Sequence, residues 1–229
     1  MSVNCVIGLQ WGDEGKGRIV DYLAQKADMV IRFQGGDNAG HTVVNEKGKF
    51  GLHILPSGIF NDNTMNIVGA GTVVNFDRMH SELEDIEKVT GEKIESVFID
   101  ERAHVIMPYH MALDGAEEGK RSESEKIGTT KRGIGPCYQD KAARCGIRAA
   151  DILDEETLKK KLSALLGKKN RELEYYGLPT YTLEELLAKA KAWREEFGDH
   201  IIDTNPAVRE AVEEGRNILL EGQLGIMRD

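Results

Sequence analysis

Val3-Asn4-Cys5-Val6-Ile7-Gly8-Leu9-Gln10-Trp11-Gly12-Asp13-Glu14-Gly15-Lys16-Gly17-Arg18-Ile19-Val20-Asp21-Tyr22-Leu23-Ala24-Gln25-Lys26-Ala27 decides the fold. Residues 3–9 form a short apolar, β-branched run and read as a buried strand. Glycines at 8, 12, 15 and 17 then make a loop. Residues 18–27 read as a helix with Ile19, Val20, Leu23 and Ala24 on one face. Residues 29–33 read as a second strand. Strand, loop, helix and strand within about 30 residues is the βαβ unit of a parallel sheet.

Working outward, a second Gly-rich loop follows that second strand: Gln34-Gly35-Gly36-Asp37-Asn38-Ala39-Gly40-His41-Thr42. Residues 42–54 look like a hairpin turning at Asn45-Glu46-Lys47-Gly48. Residues 66–69 and 94–99 read as strands. Between them, Phe76, Met79, Leu83, Ile86 and Val89 keep a helical spacing. From 101 to 200 the pattern becomes helical. Asp154 is placed to cap a helix carrying Leu158, Leu162, Leu165 and Leu166. Thr182-Leu183-Glu184-Glu185 is a capping-box pattern opening a helix that buries Leu183, Leu186, Leu187, Ala190 and Trp193. Pro206 suits the first turn of another helix. Residues 217–221 return to strand character. The expected architecture is α/β. A mostly parallel sheet with a P-loop-like phosphate loop is formed by 1–100 and 201–229, and 101–200 is a mainly helical inserted subdomain. Glu221-Gly222-Gln223-Leu224-Gly225 looks like the start of a strand-end loop, four residues before the sequence stops. The expectation is therefore a truncated chain.

The 229 residues are 40% hydrophobic and 30% charged, enough apolar content for a buried core. The formal net charge of −9 argues against a protein that grips nucleic acid by phosphate neutralisation. It leaves nucleotide binding open, because backbone N–H groups and a few cations suffice for that. Cys5, Cys137 and Cys145 have neither C-x-x-C nor zinc spacing and read as reduced thiols of a cytoplasmic protein. No signal peptide is visible, and no apolar run approaches the roughly 20 residues needed to span a bilayer.

The chemistry concentrates in three glycine-rich segments. The first loop follows a strand and opens a helix, so free N–H groups and the positive helix end face an anion. Lys16 adds a point charge. In the G-x4-G-K-[ST] pattern the leading glycine would fall on Gln10 and the terminal hydroxyl on Gly17, so the residue that normally ligates Mg²⁺ is missing. Asp13 is a candidate replacement, as Mg²⁺ ligand, general base or both; alternatively it caps the following helix. Glu14 reads as a cap or a loop ion-pair partner. The second loop leaves the same edge of a parallel sheet, which brings His41 near Asp13 as a candidate acid or phosphate donor among Asn38, Gly40 and Thr42. His53, His80, His104, His110 and His200 lack such settings. The third segment, Ile127-Gly128-Thr129-Thr130-Lys131-Arg132-Gly133-Ile134-Gly135-Pro136, suits a phosphate-closing loop or an ordinary surface loop. Lys141, Arg144 and Arg148 extend its basic character.

Taken together, Q-W-G-D-E-G-K-G (10–17), G-G-D-N-A-G-H-T (35–42), H-I-L-P-S-G-I (53–59) and I-G-T-T-K-R-G-I-G-P-C-Y (127–138) resemble the adenylosuccinate synthetase family. The resemblance implies GTP-dependent ligation of IMP and L-aspartate, releasing GDP and phosphate, by a cytoplasmic Mg²⁺-using homodimer of purine synthesis. It implies catalytic roles for Asp13, Lys16 and His41: Asp13 takes the N1 proton of IMP, and His41 stabilises the departing GDP. Asp13 and the carbonyl of Gly40 would hold Mg²⁺. GTP contacts would come from Gly12, Asp13, Glu14, Gly15, Lys16, Gly17, Arg18, Gly40, His41 and Thr42. IMP contacts would come from Asp13, Glu14, Gly15, Lys16, Asn38, Ala39, Gly40, His41, Thr130, Arg144 and Gln223, with Arg144 supplied across the dimer. The family pattern is departed from at three places. Asp37 replaces His or Asn, Lys131 replaces Gly, and Gln223-Leu224 stands where the family has Ala-Gln. The family's second half, with its guanine-recognition and aspartate-binding segments, is absent. The competing readings are a GTP-binding module without ligase activity and a P-loop GTPase switch. The switch is disfavoured by Gly17 and by the lack of an N-K-x-D motif.

Overall fold

Ser2–Gly8 forms β1, and Lys16–Ala24 forms α1. These come from a computed structural model that describes residues 2–38, 40–120 and 128–228. Then follow β2 (Met29–Arg32), β3 (His41–Asn45), β4 (Gly48–Leu52), β5 (Met65–Val68), β6 (Val73–Val74), α2 (Phe76–Thr90) and β7 (Val97–Asp100). The chain next runs through β8 (His104–Val105), α3 (Pro108–Lys120), α4 (Ile134–Ala142), α5 (Ala149–Leu153), α6 (Glu155–Tyr175) and α7 (Leu183–Phe197). It ends with β9 (Ile201–Ile202), α8 (Asn205–Glu213) and β10 (Asn217–Gly225). Two units result, one of 1–103 with 200–229 and one of 104–199.

In the first unit six parallel strands form one sheet in the order β1-β10-β2-β5-β7-β9. Both faces are covered near the centre, which is why β2 is buried throughout and is apolar up to its last residue, Arg32. Val20 and Ala24 of α1 pack on Val30 and Leu219. Ala211 of α8 packs with Met29, Ile31, Ile67 and Ile218. The antiparallel hairpin β3–β4 stands apart from this sheet, turning where Asn45 Oδ1 accepts from the N–H groups of Lys47 and Gly48. Glu82 on α2 ties down the hairpin's exit by accepting from the N–H groups of His53, Ile54 and Leu55.

Several expectations change. β1 is not buried: Val3 is 51% exposed and Ile7 52%, because β1 is the sheet's edge strand and pairs only with β10. α1 buries Val20 and Ala24, while Ile19 and Leu23 stay exposed, so only part of the apolar stripe meets the sheet. Residues 221–225 are strand rather than loop, because β10 continues beside β1 until Gly225 lies opposite Gly8. Ile134-Gly135-Pro136 are the first turn of α4, not loop; Gly133, at φ 77°, supplies the left-handed N-cap.

The second unit is helical. Asp154 accepts from the N–H groups of Glu156 and Thr157 at the start of α6. Thr182 and Glu185 complete the capping box of α7. Leu158, Leu162, Leu165, Leu186, Ala190 and Trp193 are buried; Leu166, Leu183 and Leu187 are only partly so. Within this apolar interior lies a charged group. Lys169 Nζ donates to Asp140 Oδ1 at 2.7 Å, and His110 Nε2 lies 2.9 Å from Asp140 Oδ2. The Met107 N–H donates to His110 Nδ1, so the proton of the neutral ring is on Nε2. Burial pushes the Asp140 carboxyl up, but the bonds from His110 and Lys169 outweigh it and hold it below its ordinary range. Burial dominates for His110 and lowers it.

Removing one partner leaves a buried charge uncompensated. Lys169→Met should therefore lower the unfolding free energy by about 3–5 kcal/mol, seen as a lower urea midpoint. An unchanged midpoint would contradict the pairing. Both depressed groups bind protons more readily unfolded, so their stabilisation is complete above the unfolded values and is lost on acidification. Urea midpoints of the wild type should begin to fall below pH ~6.5, from His110 and from His104, which burial and the nearby Lys141 and Arg148 charges lower to about 4. They should fall further through the carboxylate range, from Asp140, Glu82 and Glu221.

Candidate active site

The parallel sheet sends every strand's C-terminal end to one edge. β1 leads into the loop before α1, and β2 leads into the loop before β3. β10 lies between them, so its last residues sit beneath both loops. A cleft of about 400 Å³ opens there, lined by Gly12, Asp13, Gly15, Lys16, Gly17, Arg18, Asn38, Gly40, His41, Thr42 and Gln223, with Trp11 and Leu224. Two segments chosen from sequence as phosphate loops thus share one space.

The first loop is shaped to receive an anion. Gly15, at φ 82°, is the N-cap of α1 and offers no side-chain cap, so the helix begins with open N–H groups. Asp13 takes a left-handed backbone, φ 60°, and its exposed side chain has no hydrogen bond or ion pair among the described residues. Gly17 is required by packing: a Cβ there would lie 2.6 Å from His41 Cβ, which is how closely the two loops approach. Gly225 meets the same constraint against the backbone of Gln10 and Gly12.

Glu14 does not line the cleft. Its carboxylate takes Lys16 Nζ at 2.7 Å and the N–H groups of Gln10 and Gly12 at 3.1 Å each. The Lys16 bond, first among these, pulls the Glu14 carboxyl down to about 2. Lys16 itself is only 6% exposed. The loop therefore carries its own anion, bonded to the same kinds of donor that a phosphate would use.

The second loop is anchored from β10. His41 Nδ1 lies 2.7 Å from Glu221 Oε1. Ser57 holds the same carboxylate, through its N–H to Oε2 at 2.9 Å and its hydroxyl to Oε1 at 2.8 Å. Glu221 is fully buried beside Arg32, its register partner on β2. Burial pushes the Glu221 carboxyl up; the His41 bond, the charges of His41 and Arg32 and the Ser57 N–H more than reverse that and lower it. Gln223 is 2% exposed, accepts the Gly36 N–H at 2.7 Å and donates to the Gly36 carbonyl. Both ends of its amide thus serve the loop backbone. Asp37 is buried and accepts from Asn75, the residue that caps α2. Asn38 is half-buried, and its Oδ1 has no hydrogen-bond partner among the described residues.

Thr130 and Arg144 belong to the helical unit and are exposed at either end of α4. Lys131 and Arg144 have left-handed backbones at φ 57° and 60°. Together with Asp13 they are the three described non-glycine residues in that region, each carrying local strain of the kind that collects at functional sites. The left-handed Lys131 also explains why glycine suits that position. Ala39, residues 121–127, which include the first residue of the third segment, and Asp229 lie outside the described residues.

Glu221, Ser57 and the clamping role of Gln223 escaped sequence reasoning as parts of the site. A signal existed for Glu221: it closes an otherwise apolar run, Ile218-Leu219-Leu220, as Arg32 closes Met29-Val30-Ile31. Charges at the C-terminal ends of buried parallel strands mark the ligand edge.

The family model described as adenylosuccinate synthetase matches residues 5–229. "Adenylosuccinate synthetase 1" of Methanosarcina acetivorans is 44% identical over 229 residues, covering 100% of this chain and 53% of that protein. The adenylosuccinate synthetase of Listeria welshimeri is 44% identical over 230 residues, again covering 100% and 53%. The structure of fully ligated adenylosuccinate synthetase from Plasmodium falciparum superposes with a TM-score of 0.87 at 35% identity, over 99% of this chain and 52% of that one. The chain thus spans about half the length of the curated relatives it matches. No described helix is long and apolar enough to cross a membrane. The match over nearly the whole sequence, with the same fold, places this chain in the adenylosuccinate synthetase family.

Proposed function

We propose that the cleft takes the phosphates of GTP and the 6-oxo edge of IMP, and that the chain serves GTP-dependent ligation of IMP and L-aspartate to adenylosuccinate. The observation that carries this is the convergence of Asp13, Lys16 and His41 on one cleft at the open N-terminus of α1. Asp13 takes the N1 proton of IMP, and the 6-oxygen attacks the γ-phosphorus. GDP departs, and the amine of aspartate then displaces phosphate from C6. Lys16, once released from Glu14, neutralises the transferring group, and His41 stabilises charge on the GDP side. Gly12, Gly15, Gly17, Arg18, Gly40 and Thr42 surround the GTP phosphates, and Asn38 serves IMP; in the helical unit, Thr130 and Arg144 are the candidate IMP contacts. Gln223 serves IMP indirectly, by fixing the Gly36 loop.

Asp13 and Gly40 suit Mg²⁺. Asp13 is an unengaged carboxylate among the described residues, and Gly40 is an exposed backbone position on the same cleft. No described cluster of three or more His, Cys, Asp or Glu could hold a metal alone. Phosphate oxygens and water would complete the shell, the arrangement Mg²⁺ favours. Bound there, Mg²⁺ would neutralise phosphate charge. The setting is a cytoplasmic homodimer in which Arg144 serves the partner's IMP.

A second reading is a GTP-binding module without ligase activity of its own, favoured by the coverage of only 53% of the curated relatives. The two separate when the 229-residue chain is given IMP, GTP, aspartate and Mg²⁺ and adenylosuccinate is followed. Product supports the ligase; GTP binding without product supports the module. Where turnover occurs, Asp13→Ala should cut kcat by about 10²–10⁴, and near-normal kcat would remove Asp13 as the base. His41→Asn should lower kcat more than it raises KM for IMP. An effect confined to KM would contradict its role in the transition state.

A further inference from the structure

We propose that Glu221, steadied by Ser57, is the positioning residue that keeps the imidazole proton of His41 on Nδ1 and turns Nε2 to the cleft. This deepens the reading of the cleft as a nucleotide-phosphate site and rests on it. His41 is the first residue of β3, and a lone histidine there could rotate or change tautomer. Three observations fix it. Its Nδ1 contacts Glu221 Oε1 at 2.7 Å. Glu221 cannot turn away, because the Ser57 N–H occupies Oε2 and the Ser57 hydroxyl occupies Oε1. The ring has no room to slide, because its Cβ abuts Gly17 of α1 and His41 is only 8% exposed.

A carboxylate has only acceptor sites, so the shared proton belongs to Nδ1 whether the ring is neutral or charged. The other nitrogen is left for the cleft that His41 lines. Glu221 itself is not among the residues lining that cleft, so it acts through His41 rather than on a ligand. Such a carboxylate behind a working imidazole is a familiar economy: it orders the ring without touching the reacting atoms. The bridge also joins β10 to β3 across 180 residues of sequence, so the strand between the two loops sets the direction of the second loop's only histidine.

The test uses the whole chain labelled with ¹⁵N in histidine. Long-range ¹H–¹⁵N correlation of the ring, at a fixed pH where the ring is neutral, reports which nitrogen carries the proton. The wild type should show His41 in the Nδ1–H form, against the Nε2–H preference of a free side chain. E221Q should lose that signature and give a mixture, because an amide can donate as well as accept. Should the buried substitution disturb folding, S57A keeps the Glu221 carboxylate but removes the hydroxyl that holds it, and should give a partial loss. A wild-type ring in the Nε2–H form, or an Nδ1–H signature unchanged in both E221Q and S57A, overturns the proposal. GTP with Mg²⁺ is then added to the wild type. A shift of the His41 Nε2 resonance supports its presentation to phosphate. If the N–H signals of Gly15 and Gly17 do not move either, the nucleotide reading fails while the ligand-free tautomer result still stands.

Discussion

The position of β10 between β1 and β2 governs everything at the site. Parallel pairing on both sides fixes its register: Leu219 lies opposite Asn4 on one side and Val30 on the other. Ile218 and Leu219 fill the two apolar layers, against α8 and α1 respectively. With these in the core, Glu221 must come to the C-terminal edge level with Arg32. Two loops distant in sequence then meet over one strand end. A one-residue slip would turn Glu221 to the other face and leave His41 without its partner.

Charge at this edge is arranged in two layers. The lower layer is buried: Arg32 and Glu221 sit side by side, with Ser57 and His41 satisfying the carboxylate. The upper layer borders solvent, where Glu14 holds Lys16 and two backbone N–H groups of the first loop. The lower layer is rigid because breaking it would strand a buried charge. The upper layer can exchange partners, because an incoming phosphate offers Lys16 the same kind of bond that Glu14 does. A fixed base under an adaptable rim fits the phosphate site proposed for this cleft.

Much of this was legible in the sequence, and the exceptions have a common cause. The βαβ start, the β3–β4 hairpin, α2 and the caps at Asp154 and Thr182 depend on local patterns and appear where those patterns place them. The meeting of Asp13, Lys16 and His41 followed from the rule that parallel strands open on one edge. Periodicity could not reveal that β1 is an edge strand, because an apolar run looks alike at the edge and at the centre. Nor could it reveal that Gln223 spends its amide on Gly36, or that Glu221 holds His41. Those depend on strand order, which joins residues 187 and 180 positions apart.

The central claim is that the first loop and the His41 loop together receive nucleotide phosphates. Backbone amide shifts of the ¹⁵N-labelled chain, followed as GTP and Mg²⁺ are added, test it most directly. Saturable changes concentrated at 10–17 and 40–42, with Gly15 and Gly17 among the largest, are the expected result. Changes confined to other surfaces, or none at millimolar nucleotide, would contradict it.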